Sequence, residues 1–272
     1  MGNRLVYPTT PRRYNANVDD DAFYLTPAEG FERLADSYDA RLSGNPVLLL
    51  ETTQTLSALP NVSGKRVADI GCGTGRYAVQ LSRLGAALVA GIDLSSNMLV
   101  QARRKAERAE QPIEWGAGDL CQRLPLPEGA LDVAVCALTL TFIDDLRHAF
   151  QEFARILTRR GTLVVSELHP SGLQREFAAS AFAFRKDRAP YLRFLDLEGA
   201  ECRIARIPYS FSDYVNAAQA AGLRLDFATE PLVDHRLAAT YPHLKNQIGL
   251  PLALVLRFVN DGPLPPRARR QE

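Results

Sequence analysis

Apolar positions recur without any period at the start of the chain. Up to about Asp21 it offers Pro, Asn, Arg and Asp, and residues 1–21 are read as a loose arm. A helix is predicted from "TPAE": Thr26 can cap it, Pro27 suits the first helical position and Glu29 completes a capping box. "FERLADSYDARL" carries that helix, and "PVLLLETTQTLSAL" predicts a second. From Lys65 short apolar runs alternate with amphipathic segments. "RVADI", "ALVAGID", "IEWGAGD", "ALDVAVCAL" and "GTLVVSEL" predict strands. "GRYAVQLSRLGA", "SSNMLVQARRKAERA" and "DDLRHAFQEFARILTRRG" predict the helices between them. That alternation predicts a mostly parallel sheet with helices on both faces.

The alternation lapses from His169 to about Pro208. Within that stretch "YLRFLDLEGAECRIARI" predicts two strands around a Glu-Gly turn. A helix "SDYVNAAQAAGL", a strand "RLDFATE", a long loop and a strand "LPLALVLRFV" follow, which makes seven core strands. The expected organisation is an arm (1–21), an N-terminal helical cap (22–64), a core (65–168), an insert after the fifth strand (169–209), the rest of the core (210–262) and a basic tail (263–272).

Composition narrows the class only a little. The chain has 272 residues, 46% of them hydrophobic, and a formal net charge of +1. It can bury a substantial core without staples. No apolar run approaches the ~20 residues of a membrane helix, and the N-terminus has no apolar segment of a secretory signal. Cys72, Cys121, Cys136 and Cys202 have no metal-ligand spacing, so no metal is expected. Free thiols in a reducing cytoplasm are the expectation. Near-neutral charge gives no electrostatic case for nucleic acid, and the one basic cluster read along the chain is the tail "PPRARRQE", a solvated end.

Candidate chemistry centres on "VADIGCGTGRYA". A strand running through a glycine-rich turn into a helix brings backbone N–H groups and a helix N-terminus to one point. The dinucleotide fingerprint is G-x-G-x-x-G. Here the spacing is G-x-G-x-G, with Gly71, Gly73 and Gly75, and Arg76 stands where the third glycine would be. The second core strand ends in "GIDLSSNML", which places Asp93 where a carboxylate can accept both hydroxyls of a ribose. The third ends in "GAGDL", which places Asp119 where a carboxylate can take an exocyclic adenine N–H. Two acids on successive strand ends suit a ribose and an adenine better than a pyrophosphate, because negative charge beside phosphates is unfavourable.

"ADIGCGTGRYA", "GIDLSSNML", "GAGDLCQRLPLPEGALDVAVCALTLTFIDDL" and "GTLVVSELHP" resemble the successive motifs of class I S-adenosylmethionine-dependent methyltransferases. The likeness is to the small-molecule branch with a type 11 methyltransferase domain, which includes ubiquinone- and biotin-pathway enzymes. "LADSYDARL" is similar to the segment that precedes the core in that branch. The resemblance implies a Rossmann-like fold with an antiparallel last strand, S-adenosylmethionine as cofactor and a small-molecule methyl acceptor. It implies that the aminocarboxypropyl arm lies against Gly71, Gly73 and Gly75. The ammonium would meet carbonyls near Gly71 and Ala137, with Asp69 as nearby negative charge. Asp93 would hold the ribose, Leu94 and Met98 would sandwich the adenine, and Asp119 with the Leu120 amide would read its edge. Tyr38 would contact the methyl region.

Simpler readings stand beside these. Asp69 can be a strand-end turn former, Asp119 Gly-Asp turn chemistry and Met98 plain core. Asp144 and Asp145 open a helix and cap it, and His148 lies on its solvated side. A general base is sought over the C-terminal ends of the strands. His169, directly after the fifth strand, is the catalytic candidate; His235 and His243 follow, and Tyr24 joins Tyr38 in the cap. The insert's aromatics (Phe177, Phe182, Phe184, Tyr191 and Phe194) line either an apolar acceptor pocket or the insert's own core. The rival functions are an NAD-dependent oxidoreductase and a non-catalytic cofactor-binding scaffold. No N-P-P-Y motif and no basic face point to a macromolecular acceptor. A homodimer is left open.

Overall fold

The computed structural model describes residues 22–171 and 191–262. Phe177, Phe182 and Phe184, the arm and the tail lie outside the described residues. Strand β1 (Phe23–Leu25) leads into helix α1 (Pro27–Leu42), which carries the expected capping box: Thr26 accepts from the Glu29 amide while the Glu29 carboxylate accepts from Thr26. Helix α2 (Pro46–Ala58) is capped by Asn45.

The core then alternates as the apolar runs require. Strand β2 (Arg66–Ile70) passes through the glycine turn into α3 (Arg76–Arg83). Strand β3 (Leu88–Asp93) leads to α4 (Ser96–Arg108), and β4 (Glu114–Ala117) and β5 (Leu131–Ala137) follow. Helix α5 (Leu146–Ile156) is shorter than its sequence suggests. "LTRRG" leaves it because Leu157 already pairs with Leu131, so strand β6 runs from Leu157 to Leu168. The Glu-Gly turn joins β7 (Tyr191–Leu195) to β8 (Glu201–Ala205); Asp196 accepts amides from Glu198 and Ala200 across it. Helix α6 (Phe211–Ala220), β9 (Leu223–Thr229), the short α7 (His235–Thr240) and β10 (Ala253–Asn260) complete the chain.

Seven strands form the main sheet in the order β4-β3-β2-β5-β6-β10-β9. Strand β10 is antiparallel to both neighbours. A core of Phe150, Phe153, Phe258 and the sheet's own Val, Ile and Leu residues packs one face; Tyr77, Leu81 and Val133 belong to a second cluster.

A second sheet was not foreseen. β1 pairs in parallel with β8, and β7 completes three strands in the order β1-β8-β7. Three residues are too few to show alternation, so β1 reads as loop in the sequence. Phe194, Ile204, Leu25 and Leu34 of this cap share one apolar cluster with Met98 and Phe142 of the core. Phe194 is thus buried in the cap's own core.

Candidate functional site

The order of the first five core strands reverses between β2 and β5, and open α/β sheets bind ligands at such a switch point. Here the glycine turn sits. Gly71 and Cys72 both donate to the Ile92 carbonyl, and Gly75 donates to the Cys72 carbonyl. All three glycines have positive φ, a conformation that side chains disfavour. They differ in what surrounds them. A Cβ on Gly73 would meet no atom within 4 Å, so this position opens onto space. A Cβ on Gly71 would strike Thr139, and one on Gly75 would strike the Trp115 ring at 2.7 Å. Gly75 therefore serves internal packing and the start of α3.

A cleft enclosing about 100 Å³ lies over this turn. Gly71, Gly73, Ala137, Leu138 and Thr139 form its floor; Asp93, Leu94 and Met98 form one side; Asp119, Leu120 and Ile143 form the far end. Pro27, Phe31 and Tyr38 of α1 close it from above. The structure thus brings together nine of the cofactor-binding residues expected from the sequence. Asp69 and Gly75 lie off its wall.

Asp93 is fixed by the backbone. Its Oδ2 accepts from the Gly73 amide at 2.7 Å and its Oδ1 from the Ser95 amide at 2.9 Å. Burial raises its pKa against these two bonds. Asp119 Oδ1 accepts from Cys121 N at 2.9 Å, and Oδ2 from Gln122 Nε2 at 3.2 Å. Asp69 lies behind the turn. It is 1% exposed, accepts from the Ala78 amide at 2.9 Å, and is pushed up to about 7 by burial. That bond fastens the end of β2 to the first turn of α3.

Two carbonyls converge on one hydroxyl. Thr139 Oγ1 lies 3.1 Å from the Ala137 oxygen and 3.4 Å from the Gly71 oxygen. One hydroxyl proton can serve only one of them fully, so the pair keeps spare acceptor capacity beside Gly73. Leu138, between them, holds a φ of 57°, which is costly for a residue with a side chain and keeps this loop turned toward the cleft.

His169 does not line the cleft. Its Nδ1 faces Ser171 Oγ at 2.7 Å and accepts from the Ser171 amide, and its Nε2 lies 3.1 Å from Glu230 Oε1. The turn out of β6 directs the ring toward the edge held by β9 and β10. His235 and His243 are exposed and away from the cleft, and Tyr24 receives a bond from Arg203 in the small sheet. Asp145 caps α5 through the His148 amide. His148 is half-buried rather than solvated, with Nε2 shielded. No metal-ligand cluster occurs among the described residues.

Three buried acids, Glu51, Glu152 and Glu167, carry no expectation from the sequence, and two of them brace the elements around the cleft. Glu167, next to last in β6, accepts from the Leu140 amide at 2.6 Å and shapes the loop after β5; burial pushes it up to about 8. Glu51, fully buried on α2, accepts from Tyr77 at 2.5 Å, from Arg76 at 2.9 Å and from Ser166. An acid inside the apolar runs "VVSEL" and "LLLETT" was the available signal for each.

A Rossmann-like sheet with an antiparallel strand inserted beside its fifth strand, a glycine turn at the switch point and acids after the next two strands defines a doubly wound α/β domain with a cleft at its switch point. Residues 68–165 match the model of a family described as a methyltransferase domain. A malonyl-[acyl-carrier protein] O-methyltransferase of Yersinia pestis is 32% identical over 158 residues, which are 58% of this chain and 54% of that protein. A demethylmenaquinone methyltransferase of Deinococcus radiodurans is 36% identical over 114 residues, 41% of this chain and 47% of the relative. The chain spans about half the length of these curated relatives. Among solved structures, an S-adenosylmethionine-dependent methyltransferase from Mesorhizobium loti superposes with a TM-score of 0.60 at 24% identity, covering 77% of this chain and 97% of its own. Magnesium protoporphyrin IX methyltransferase from Synechocystis, solved with bound SAH, gives 0.60 at 18% identity over 86% and 97%. These likenesses show the fold.

Proposed function

We propose that this protein is an S-adenosylmethionine-dependent methyltransferase acting on a small organic acceptor. The observation that carries the reading is the open space over Gly73, bounded by the fixed carboxylate of Asp93 and the converging carbonyls of Gly71 and Ala137. Asp93 would take the ribose hydroxyls on its remaining lone pairs. Leu94 and Met98 would hold the adenine, with Asp119 and the Leu120 amide at its edge. The two carbonyls would take the ammonium. Bound there, the cofactor supplies an electrophilic methyl group on a sulfonium.

The protein's own contribution is to position and exclude water. Phe31, Phe142 and Tyr38 make an apolar roof and wall. Burial raises the Tyr38 pKa, so its phenol stays a neutral donor. The other ionisable residues lining the cleft among those described are Asp93 and Asp119, and both are committed to backbone amides. This supports an acceptor that brings its own nucleophilic electron pair, such as a carboxylate, an enolate or a phenolate. With His169 outside the cleft wall, it also accords with a positioning role for that residue at the end of β6.

The strand order supports this reading over a nicotinamide enzyme, because the simple doubly wound dinucleotide fold has no antiparallel strand inserted there. An intracellular location accords with four free cysteines, three of them buried. The test is calorimetry with S-adenosylmethionine and NAD, followed by turnover with labelled methyl donor across carboxylate, phenol, amine and activated-methylene acceptors. Binding of the sulfonium cofactor and transfer to one acceptor class support the reading. Binding without transfer to any class indicates a scaffold, and preference for NAD overturns it.

A further inference from the structure

A second cleft, distinct from the one above, is larger than it. It encloses about 410 Å³ between α3 and α4, with Asp39 of α1 on its wall. Helix α3 presents Arg76, Val79, Gln80 and Arg83 to it, and α4 presents Gln101, Arg104, Lys105 and Arg108. Each set has the i, i+3, i+4, i+7 spacing of a single helix face. Facing stripes on neighbouring helices are ordinarily apolar or of opposite charge. Here, Val79 apart, both are polar and cationic. Read along the chain, these charges are scattered over two helices, and so only the tail registers as basic.

The cations are not equally balanced. Arg76 pairs with Glu51 at 2.9 Å and Lys105 with Asp39 at 2.8 Å, and Asp39 is the one acid on the wall. Arg83, Arg104 and Arg108 have no ion pair or side-chain hydrogen bond among the described residues. Arg104 and Arg108 stand at i and i+4, a like-charge spacing that disfavours the helix, and Arg83 faces them from α3. A chain of net charge +1 thus concentrates three uncompensated guanidinium groups around one concavity.

We propose that this cleft is a binding site for a small phosphate-bearing anion, separate from the cofactor cleft and independent of the transferase reading. Arginine's planar fork of donors matches phosphate oxygens bidentately. The volume lies within the range of small-molecule sites. A concave site in a molecule of near-zero net charge suits a compact anion better than an extended nucleic acid, which is drawn by a broad basic field.

The test is isothermal titration with sodium pyrophosphate, with sodium chloride at matched ionic strength as the reference. One site whose affinity falls as salt is added is expected. Arg104→Gln/Arg108→Gln should weaken it at least about tenfold, and Arg83→Gln should weaken it separately, since each removes a charge-assisted bond. Glutamine keeps helix propensity, and circular dichroism verifies the fold. Absence of binding beyond the chloride reference overturns the proposal. So does equal binding by folded variants, which would place the anion elsewhere, or binding of a single-stranded oligonucleotide in place of pyrophosphate.

Discussion

The Asp93 carboxylate is tied to the second glycine of the turn: Oδ2 accepts the Gly73 amide at 2.7 Å. One side chain on β3 therefore shapes the loop after β2 and faces the cleft with its remaining lone pairs. Asp93→Ala removes both the loop tie and the proposed ribose acceptor. It is expected to weaken S-adenosylmethionine by about 1.5–3 kcal/mol, the range for hydrogen bonds to a charged group. Calorimetry on the folded variant checks it, and unchanged affinity would place the ribose elsewhere.

Gly73 and Gly75 share the left-handed conformation but not a role. A side chain at Gly73 meets no protein atom and enters the cleft, whereas one at Gly75 meets Trp115. Each change should cost about 1–2 kcal/mol for the backbone conformation. Gly75→Ala should cost about 1–3 kcal/mol more through overpacking, with affinity in the surviving folded fraction retained. Gly73→Val should stay folded and lose cofactor. Melting curves and cofactor titration on both variants separate the roles; an unstable Gly73→Val that still binds would reverse the assignment.

The element series was legible because long periodic segments and caps carry their own signals, as in the box of Thr26 and Glu29. The site was legible where chain order puts residues at strand ends: Asp93 and Asp119 follow apolar runs directly. What the sequence hid depends on long-range contact. β1 becomes a strand only by pairing with Cys202–Ile204. The roles of Gly75 and Trp115 come from packing across elements. The direction of His169 is set by Glu230, 61 positions away in sequence.

Two raised carboxyls give a pH signature. Burial pushes Asp69 up to about 7 and Glu167 up to about 8. A carboxyl with a raised folded pKa binds its proton more tightly when folded. Its contribution is intact below the unfolded pKa near 4 and is lost as pH rises through about 7–8. Glu167→Gln keeps a carbonyl for the Leu140 amide and removes the titration. The difference in urea midpoint between variant and parent should grow in the variant's favour from pH 5 to pH 8. A pH-independent difference would mean that Glu167 stays ionised in the fold.

His169 should act through structure. With Nδ1 held by Ser171 and Nε2 at Glu230, its ring joins the end of β6 to the loop after β9. His169→Ala should lower stability by about 1 kcal/mol, the worth of a typical hydrogen bond, and leave the acidic limb of the pH–rate profile in place. A loss of turnover of about 10²-fold or more with that limb abolished would restore a general-base role.

The proposed cofactor cleft encloses about 100 Å³, less than the ~300 Å³ at the lower end of small-molecule sites, so outward movement of its roof is expected when a nucleoside enters. That roof is α1, and it is latched to α4. Glu32 accepts the Ser96 and Asn97 amides at 2.8 and 3.0 Å, a carboxylate placed on the helix N-terminus where its charge is favoured. Gln101 adds a bond to Asp36, and Lys105 one to Asp39. Burial opposes ionisation of Glu32, but the bonds from Ser96 and Asn97 prevail and hold its carboxyl below the usual range. The Glu32 tie is therefore present above the ordinary carboxylate pKa and is lost as pH falls through the lowered one. Glu32→Ala removes its share of the latch, leaving the Gln101–Asp36 and Lys105–Asp39 ties, without touching the cleft wall. Cofactor association and dissociation should both quicken, with the equilibrium constant changing less than either rate. The fluorescence of Trp115, packed behind Gly75, offers a stopped-flow readout, and an unlabelled-cofactor chase gives dissociation independently. Rates equal to those of the parent would show that α1 is not the gate.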